Sequence, residues 1–247
     1  MSWYNTIIYA NEWSRIYMNN LFKWKHYESE IITLCVRWYL KYPLSYRNLS
    51  DMMAERGLNI SHTTIYRWVI EYAPKLNHGL RKHLQKTGDS WRVDETYLKI
   101  NGKWMYLYRA VDRDSQTIDF WLSKTRDCKA AKKFFRKALK SPHNSNPRVI
   151  TTDKYAATIK MIKNEIKFER LHPKTKHRSS KYLNNIIEQD HRHIKRITNH
   201  MCGFKHFKSA CATIQGIEAM NMIRKGQANT KSISDEIALV NAIFCCA

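Results

Sequence analysis

The chain has 247 residues, of which 43% are hydrophobic, so it can bury the core of one large domain or of a small domain joined to a medium one. Its 43 Lys and Arg residues against 21 Asp and Glu residues give a formal net charge of +22, which favours a polyanionic partner such as nucleic acid, while 8 Trp and 14 Tyr residues argue against a ribosomal-type protein. No run of 18 apolar residues, no signal-peptide pattern and no CxxC pair occurs, so we expect no membrane partner and reduced cysteines in the cytoplasm.

The first part of the chain is predicted to be helical. Residues 1–26 carry aromatic side chains without a clear period, and we assign them to an N-terminal extension. From Tyr27 onward apolar residues recur at helical spacing as far as Pro43, which closes the segment. We assign residues 27–88 to one unit that ends in a polar, basic linker.

Two further helices in this unit are separated by a short turn. The first is predicted over Tyr46–Arg56 and is followed by Gly57, where a helix end favours a left-handed residue. Ser61 caps the second helix, which is expected to end before Pro74. Helix, Gly-containing turn and helix is the pattern of a DNA-binding helix-turn-helix, and a plain helical hairpin is the alternative. In a helix-turn-helix the start of the second helix meets the base edges, and here it carries His62, Thr63, Thr64 and Arg67.

The periodicity changes near residue 89. Segment 91–100 alternates in polarity and is followed by Asn101-Gly102, a strong hairpin signal. We predict further strands over 103–112, 117–126, 148–153 and near 168–171, and helices over 127–140, 156–167, from about Asn184 and over 204–226, with a basic, mobile loop at 172–181. This order predicts an α/β fold with one mixed sheet for residues 89–226 and a weakly packed tail for residues 227–247.

Three acids fall where an α/β sheet places functional groups: Asp94 in the first strand, Asp153 at the end of the fourth and Glu188 on a late helix. Carboxylates roughly 4 Å apart repel one another by on the order of 1–4 kcal/mol per pair, so such a cluster needs cations. The hard ions Mg²⁺ and Mn²⁺ suit oxygen ligands, and two of them can stabilise the attacking and leaving oxygens of a phosphoryl displacement.

The helix that carries Glu188 is predicted to present cations beside the acid. Glu188, Arg192 and Lys195 lie at i, i+4 and i+7 and share one face, although a solvated helix with a Glu–Arg pair would look the same. Other candidates are assigned away from the site. Strand alternation places Glu95 on the opposite face from Asp94, Asp112 and Asp114 suit a turn, and His191 and His193 are expected to be solvated or to contact phosphate.

Three segments resemble a known family: SWRVDETY, VITTDK and KYLNNIIEQDHRHIKR, which contain Asp94, Asp153 and Glu188. They are similar to the DDE transposases of bacterial insertion sequences, specifically the IS six family (IS twenty-six type), over about residues 21–227. The resemblance implies an RNase H-like catalytic core and magnesium-dependent cleavage and transfer of double-stranded DNA at terminal inverted repeats by a homodimer on the nucleoid. It places the three acids as metal ligands and catalytic residues, with Lys195 as a further catalytic residue. The remaining predicted DNA contacts are Lys174, Lys176, Arg178, Lys181, Arg192, Lys195 and Arg196.

The sequence departs from the family at two places. Tyr155-Ala156-Ala157-Thr158 follows the second acid where an Asn/Pro-containing stretch is usual, and Ile197 stands where a second Arg is common. Two other hypotheses remain open at this point. One is a catalytically defective copy or regulator that binds DNA through the helix-turn-helix, and the other is a stand-alone structure-specific nuclease, which the helix-turn-helix disfavours.

Overall fold

A computed structural model describes residues 21–153, 156–168, 171–179, 185–201 and 203–245. In these ranges the helices are α1 (Ser29–Lys41), α2 (Tyr46–Ala54), α3 (His62–Leu80), α4 (Cys128–Lys140), α5 (Ala156–Lys167), α6 (Asn185–Thr198), α7 (Phe207–Arg224) and α8 (Ile233–Cys245). The strands are β1 (Ser90–Ile100), β2 (Lys103–Val111), β3 (Thr117–Ser123), β4 (Val149–Thr152) and β5 (Lys176–Ser179). Across the described ranges, no helix has the length and apolar character needed to cross a membrane.

Helices α2 and α3 follow one another in the chain and are joined by a short turn that contains Gly57. The Ser45 side chain accepts a hydrogen bond from the Asn48 backbone N–H and the Asn48 side chain accepts one from the Ser45 N–H, which completes a capping box at the start of α2. Gly57 has φ +76° in the turn, and Ser61 caps α3 by accepting from the Thr64 N–H. Of the apolar residues expected on the inner faces of these helices, Met52 is half-buried and the others are buried: Leu49, Met53, Ile65, Trp68 and Val69.

The predicted end of α3 before Pro74 is wrong, because the helix continues through Pro74 to Leu80. Proline removes one backbone donor and disfavours a helix interior. Here Tyr72, Ala73, Leu76 and Leu80 on both sides of it are fully buried against the rest of the helical core. Tertiary packing therefore outweighs the local preference of the proline.

One five-stranded sheet has the order β3-β2-β1-β4-β5. β2 is antiparallel to both β1 and β3, whereas β4 is parallel to both β1 and β5. The β1–β2 hairpin turns at Asn101 and Gly102, which have φ +48° and +75° as the predicted turn requires. A mixed sheet of this order with helices packed on it is the RNase H-like core that the resemblance implied.

The edge strand β5 lies later in the chain than predicted. Residues 168–171 form no strand where the structure describes them, and Lys176–Ser179 of the predicted mobile loop pairs instead with all four residues of β4. The strand is held by backbone pairing and by polar contacts, such as that between the Thr152 Oγ1 and His177 Nε2 atoms at 2.9 Å. A short polar edge strand has no hydrophobic alternation, so its sequence contains no period to detect.

The sheet has a core on each face. Trp91, Val93 and Tyr108 pack with Phe134 and Phe135 of α4 on one side. The other side joins the N-terminal helices and α7 in a single larger core that includes the sheet residues Leu98, Leu107, Phe120 and Leu122. Helix α7 lies against the N-terminal helices so closely that a Cβ atom added at Gly216 would meet Leu40 and Ala73 at 2.5 and 2.6 Å.

A weakly packed tail is predicted for residues 227–247, but the described part, residues 227–245, packs into the core. Helix α8 buries Val240, Ile243 and Phe244 in the helical core. The Phe244 ring lies 5.8 Å from the Tyr72 ring, edge to face, and Lys41 forms an ion pair with Glu236. The segment therefore completes the core around α3.

Candidate active site

The site forms where β1 continues past the end of its partner strand β4. The last residue pair between them is Val93–Thr152, so Asp94 and Asp153 follow directly on the two chains. One carboxylate oxygen from each of Asp94, Glu95 and Asp153 lies within 4.8 Å of the others. The two acids predicted at the strand ends are thus brought together, with a third beside them.

Glu95 and Arg126 are part of this cluster although the sequence pattern did not point to them. Side-chain alternation along β1 places Glu95 on the opposite face from Asp94. The pairing of β1 with β4 ends at Val93, however, and Asp153 lies just beyond this point, where the Glu95 carboxylate comes within 4.8 Å of the other two. The Arg126 Nη2 atom lies 3.2 Å from the Glu95 Oε2 atom and 3.5 Å from the Asp153 Oδ2 atom. Arg126 follows β3, which runs in the same direction as β1 and β4, and this shared sheet edge is the signal that could have identified it.

Burial and neighbouring negative charges raise the pKa values of two acids of the cluster, Asp94 and Glu95. Burial raises the pKa of Asp94 to about 7, and the charges of Glu95, Asp153 and Glu188 add to the increase. Burial also raises the pKa of Glu95, while the Arg126 guanidinium opposes the rise. A divalent cation bound here would stabilise the ionised forms of Asp94 and Glu95, whose pKa values are raised.

Helix α6 supplies the opposite wall. Glu188, Arg192 and Lys195 line one open cleft of about 340 Å³ together with Asp94 and Glu95. All three side chains of α6 are exposed to the cleft and solvent, as one face at i, i+4 and i+7 requires. Glu188 lies across the cleft from the strand acids and raises the pKa of Asp94, but it is not one of the three carboxylates within 4.8 Å of each other.

A buried charge network fixes the position of α6. Arg109 of β2 is fully buried, and its Nε and Nη2 atoms donate to the Glu218 carboxylate of α7 at 2.6 and 2.9 Å. The Arg109 Nη2 atom is also 2.6 Å from the Asp190 Oδ2 atom of α6, and the Lys225 Nζ atom is 2.6 Å from Asp190 Oδ1. Asp190 and Glu188 point to different sides of the helix, so one side anchors α6 and the other faces the cleft.

Of the two alternatives expected for His191, solvation or phosphate contact, solvation is wrong. His191 is buried, and its Nδ1 atom lies 3.8 Å from the Asp94 Oδ2 atom. Burial and the nearby Arg109 guanidinium lower the pKa of His191 to about 3, so the ring is neutral at pH 7. His193 is half-buried, and burial followed by the charge of Arg224 lowers its pKa to about 4.

The predicted DNA-contacting side chains lie on three surfaces. At the start of α3, His62, Thr63 and Arg67 are exposed, whereas the Thr64 hydroxyl is 2.9 Å from the Ser61 Oγ atom. Lys181 lies outside the described residues. The other predicted cations are exposed on β5, on the turn before it and on α6: Lys174, Lys176, Arg178, Arg192, Lys195 and Arg196.

Two comparisons identify the family. A family model described as a DDE domain matches residues 88–227, more than half of the chain. The transposase for insertion sequence-like element IS431mec of Staphylococcus aureus is 44% identical over 207 residues, which are 83% of this chain and 89% of that protein. The transposase for insertion sequence element IS257 in transposon Tn4003, also from Staphylococcus aureus, is 43% identical over the same shares.

The mixed sheet, the acidic cleft at its edge and these matches define a DDE transposase, a polynucleotidyl transferase of DNA transposition. Within that class the chain belongs to the IS six family of insertion-sequence transposases.

Solved structures of integrases also resemble the chain. The magnesium-bound catalytic core domain of the HTLV-2 integrase aligns with a TM-score of 0.41 at 16% identity, over 53% of this chain and 84% of that one. A chain of the simian T-cell lymphotropic virus intasome aligns with a TM-score of 0.44 at 13% identity, over 60% of this chain and 58% of that one. The family assignment rests on the sequence relatives.

Proposed function

We propose that this transposase binds the terminal inverted repeats of its own insertion sequence and cuts and joins DNA strands in the cleft between β1 and α6. The observation that carries the proposal is the meeting of strand acids with α6. Asp94 and Asp153 come together at the sheet edge, and Asp94 lines one cleft with Glu188 and the cations Arg192 and Lys195. An acidic floor with a basic rim suits a phosphodiester held against metal ions.

The carboxylates fit a divalent metal. The donors are hard oxygens, three of them lie within 4.8 Å of one another, and Asp94 has a pKa raised to about 7. We assign Asp94, Asp153 and Glu188 as the ligands of two Mg²⁺ or Mn²⁺ ions, with Glu95 close enough to assist. Bound there, the metal would supply Lewis-acid activation and charge neutralisation for an in-line phosphoryl displacement.

The residues of the chain then have separate tasks. Lys195 and Arg192 project from the same face as Glu188, so they hold the phosphate oxygens of the scissile strand beside the acids. Arg126 holds the Glu95 and Asp153 carboxylates from the side of α4. His191 is neutral and buried, and its Nδ1 atom lies 3.8 Å from the Asp94 Oδ2 atom, so it borders the acid without adding a charge.

DNA recognition is assigned to the helical unit of residues 27–88. His62, Thr63 and Arg67 are exposed at the start of α3, which is the end that enters the major groove in a helix-turn-helix. An insertion sequence has an inverted repeat at each of its two ends. We therefore propose that two copies of the protein act together as a homodimer on DNA. The exposed cations of β5 and α6 would follow the backbone of the flanking duplex.

The proposal is tested by cleavage of a duplex that carries one end of the element, with purified protein and Mg²⁺. Asp94→Asn and Glu188→Gln should each reduce strand cleavage by at least about 100-fold while end binding is retained. Asp114→Asn is the matched control, because Asp114 is an exposed carboxylate in the β2–β3 turn, and it should cleave as the unaltered protein does. Undiminished cleavage by Glu188→Gln would remove this residue from the site. End binding without cleavage by the unaltered protein would favour a DNA-binding copy that has lost its chemistry.

A further inference from the structure

The β1–β2 hairpin projects beyond the sheet next to the acidic cleft. β4 pairs only with Ser90–Val93, so the outer edge of β1 from Asp94 onward has no strand partner among the described residues, apart from a single bridge between Ile100 and Phe204. A groove of about 750 Å³ runs along this edge. We call it the hairpin groove. Its lining residues include Tyr97, Lys99, Trp104, Tyr106 and Lys195.

The hairpin groove is aromatic and basic. Trp104 is 60% exposed and Tyr97 is 43% exposed, although large aromatic rings are usually buried in a core. The two rings meet edge to face at 6.5 Å, and Tyr97 meets Tyr106 at 5.4 Å in a similar way. The Lys99 Nζ atom lies 5.9 Å from the Trp104 ring, and no acid lines the groove among the described residues.

The hairpin groove is continuous with the acidic cleft. Tyr97 and Lys195 line both. A DNA strand with a phosphate at Asp94 and Lys195 therefore has Tyr97 and then Trp104 along its path. The side chains change along that path from carboxylates, which suit metal and phosphate, to rings and cations, which suit bases and phosphates.

We propose that the hairpin groove binds unpaired bases of the DNA strand next to the scissile phosphate. This inference rests on the proposed function of the adjoining cleft. Bases inside a duplex have their faces covered by their neighbours, so exposed rings gain stacking only from bases that have left the helix. Lys99 and Lys195 supply the charge for the phosphates between those bases. A protein segment of neutral chemistry would leave Lys99 without a counter-charge, because no acid lines the groove among the described residues, which makes a nucleotide strand the better occupant.

The test uses the full-length protein and two duplexes that carry the element end, one fully paired and one mismatched over the nucleotides flanking the cleavage site. A fluorescent adenine analogue at the first flanking position reports stacking, and Ca²⁺ replaces Mg²⁺ so that binding is measured without cleavage. The unaltered protein should quench the analogue and bind the mismatched duplex more tightly. Trp104→Ala should weaken binding of the mismatched duplex about tenfold and leave the paired duplex within about twofold, whereas Trp104→Phe should retain most of the affinity.

Trp24→Ala is the matched control, since Trp24 is 90% exposed and lies away from the hairpin groove. It should behave as the unaltered protein does, and thermal unfolding should show that all variants are folded. Equal losses by Trp104→Ala on both duplexes, or no loss on either, would overturn the proposal. Asp94→Asn separates the two proposals. It should abolish cleavage but keep the preference for the mismatched duplex, so failure of the catalytic assignment and failure of the groove assignment give different results.

Discussion

At the residue scale, the acids of the cleft interact strongly enough to affect folding. Burial and neighbouring charges raise the pKa of Asp94 to about 7, far above that of an aspartate in an unfolded chain. Between about pH 4 and 7 the folded, metal-free protein thus retains a proton that the unfolded chain has released. Since the folded state binds more protons, the contribution of Asp94 to stability is present at low pH and is lost as the pH rises through about 7.

This linkage gives a prediction for Asp94→Asn. In chelator, the free energy of unfolding of the unaltered protein should fall across this range by up to about 1.4 kcal/mol per pH unit from Asp94 alone. Asp94→Asn should remove that slope and be more stable than the unaltered protein at pH 8, as measured by urea unfolding at several pH values. Asp114→Asn should retain the slope. Identical pH dependence for Asp94→Asn and the unaltered protein would contradict the assignment of this shift to Asp94.

The residues of the site were only partly predictable. Asp94 and Asp153 could be inferred because parallel strands that end at one edge bring their last side chains together. Glu95 could not be inferred, since alternation places it on the other face of the strand. Its carboxylate joins the cluster only because β4 stops at Thr152, before it reaches the level of Glu95. The burial of His191 could not be predicted either, because its charged neighbours Asp190 and Arg192 are typical of a solvent-exposed segment.

At the element scale, the position of α6 depends on charges that never reach solvent. Arg109, Asp190, Glu218 and Lys225 connect β2, α6 and α7, and Arg109 and Glu218 are completely buried. Their mutual attraction lowers the pKa of Asp190 and raises the pKa of Arg109, against the effect of burial on each. Removing one partner of such a network leaves an uncompensated buried charge.

We therefore expect Glu218→Gln to destabilise the protein by about 3–5 kcal/mol, because Arg109 keeps its charge and loses its bidentate acceptor. Urea unfolding measures the change. Cleavage should also fall under conditions where the variant is fully folded, since α6 carries Glu188 and Lys195. Glu55→Gln, at an exposed carboxylate after α2, is the control and should alter stability by less than about 0.5 kcal/mol. A loss of that small size in Glu218→Gln would show that the network does not hold α6.

Helices and strands whose apolar residues recur at a clear spacing were predicted well, and those without such a spacing were not. The helices before Pro74, the β1–β2 hairpin and α4 follow apolar spacing or turn chemistry that is written locally. Strand β5 depends on pairing with β4, and α3 passes Pro74 because of packing against distant parts of the chain. Helix α8 has the apolar residues Val240, Ile243 and Phe244, but their burial can be recognised only when the surface of α3 that they cover is known.

At the scale of the whole molecule, the net charge and the packing of the N-terminal helices on the sheet are both consistent with the proposed binding of DNA. A net charge of +22 suits a protein that holds DNA along several surfaces, and salt should weaken that binding steeply. The N-terminal helices share one core with α7 and a face of the sheet, so the unit proposed to recognise DNA is packed directly on the catalytic core. The recognition that we propose for α3 and the chemistry that we propose for the cleft would thereby be held within one framework.

Binding of Mn²⁺ tests most directly whether Asp94, Asp153 and Glu188 form one metal site. We expect titration calorimetry of the full-length protein to show Mn²⁺ binding that each of Asp94→Asn, Asp153→Asn and Glu188→Gln weakens by at least about tenfold, while Asp114→Asn binds as the unaltered protein does. Unchanged Mn²⁺ affinity in all three site variants would contradict a shared metal centre at the edge of the sheet.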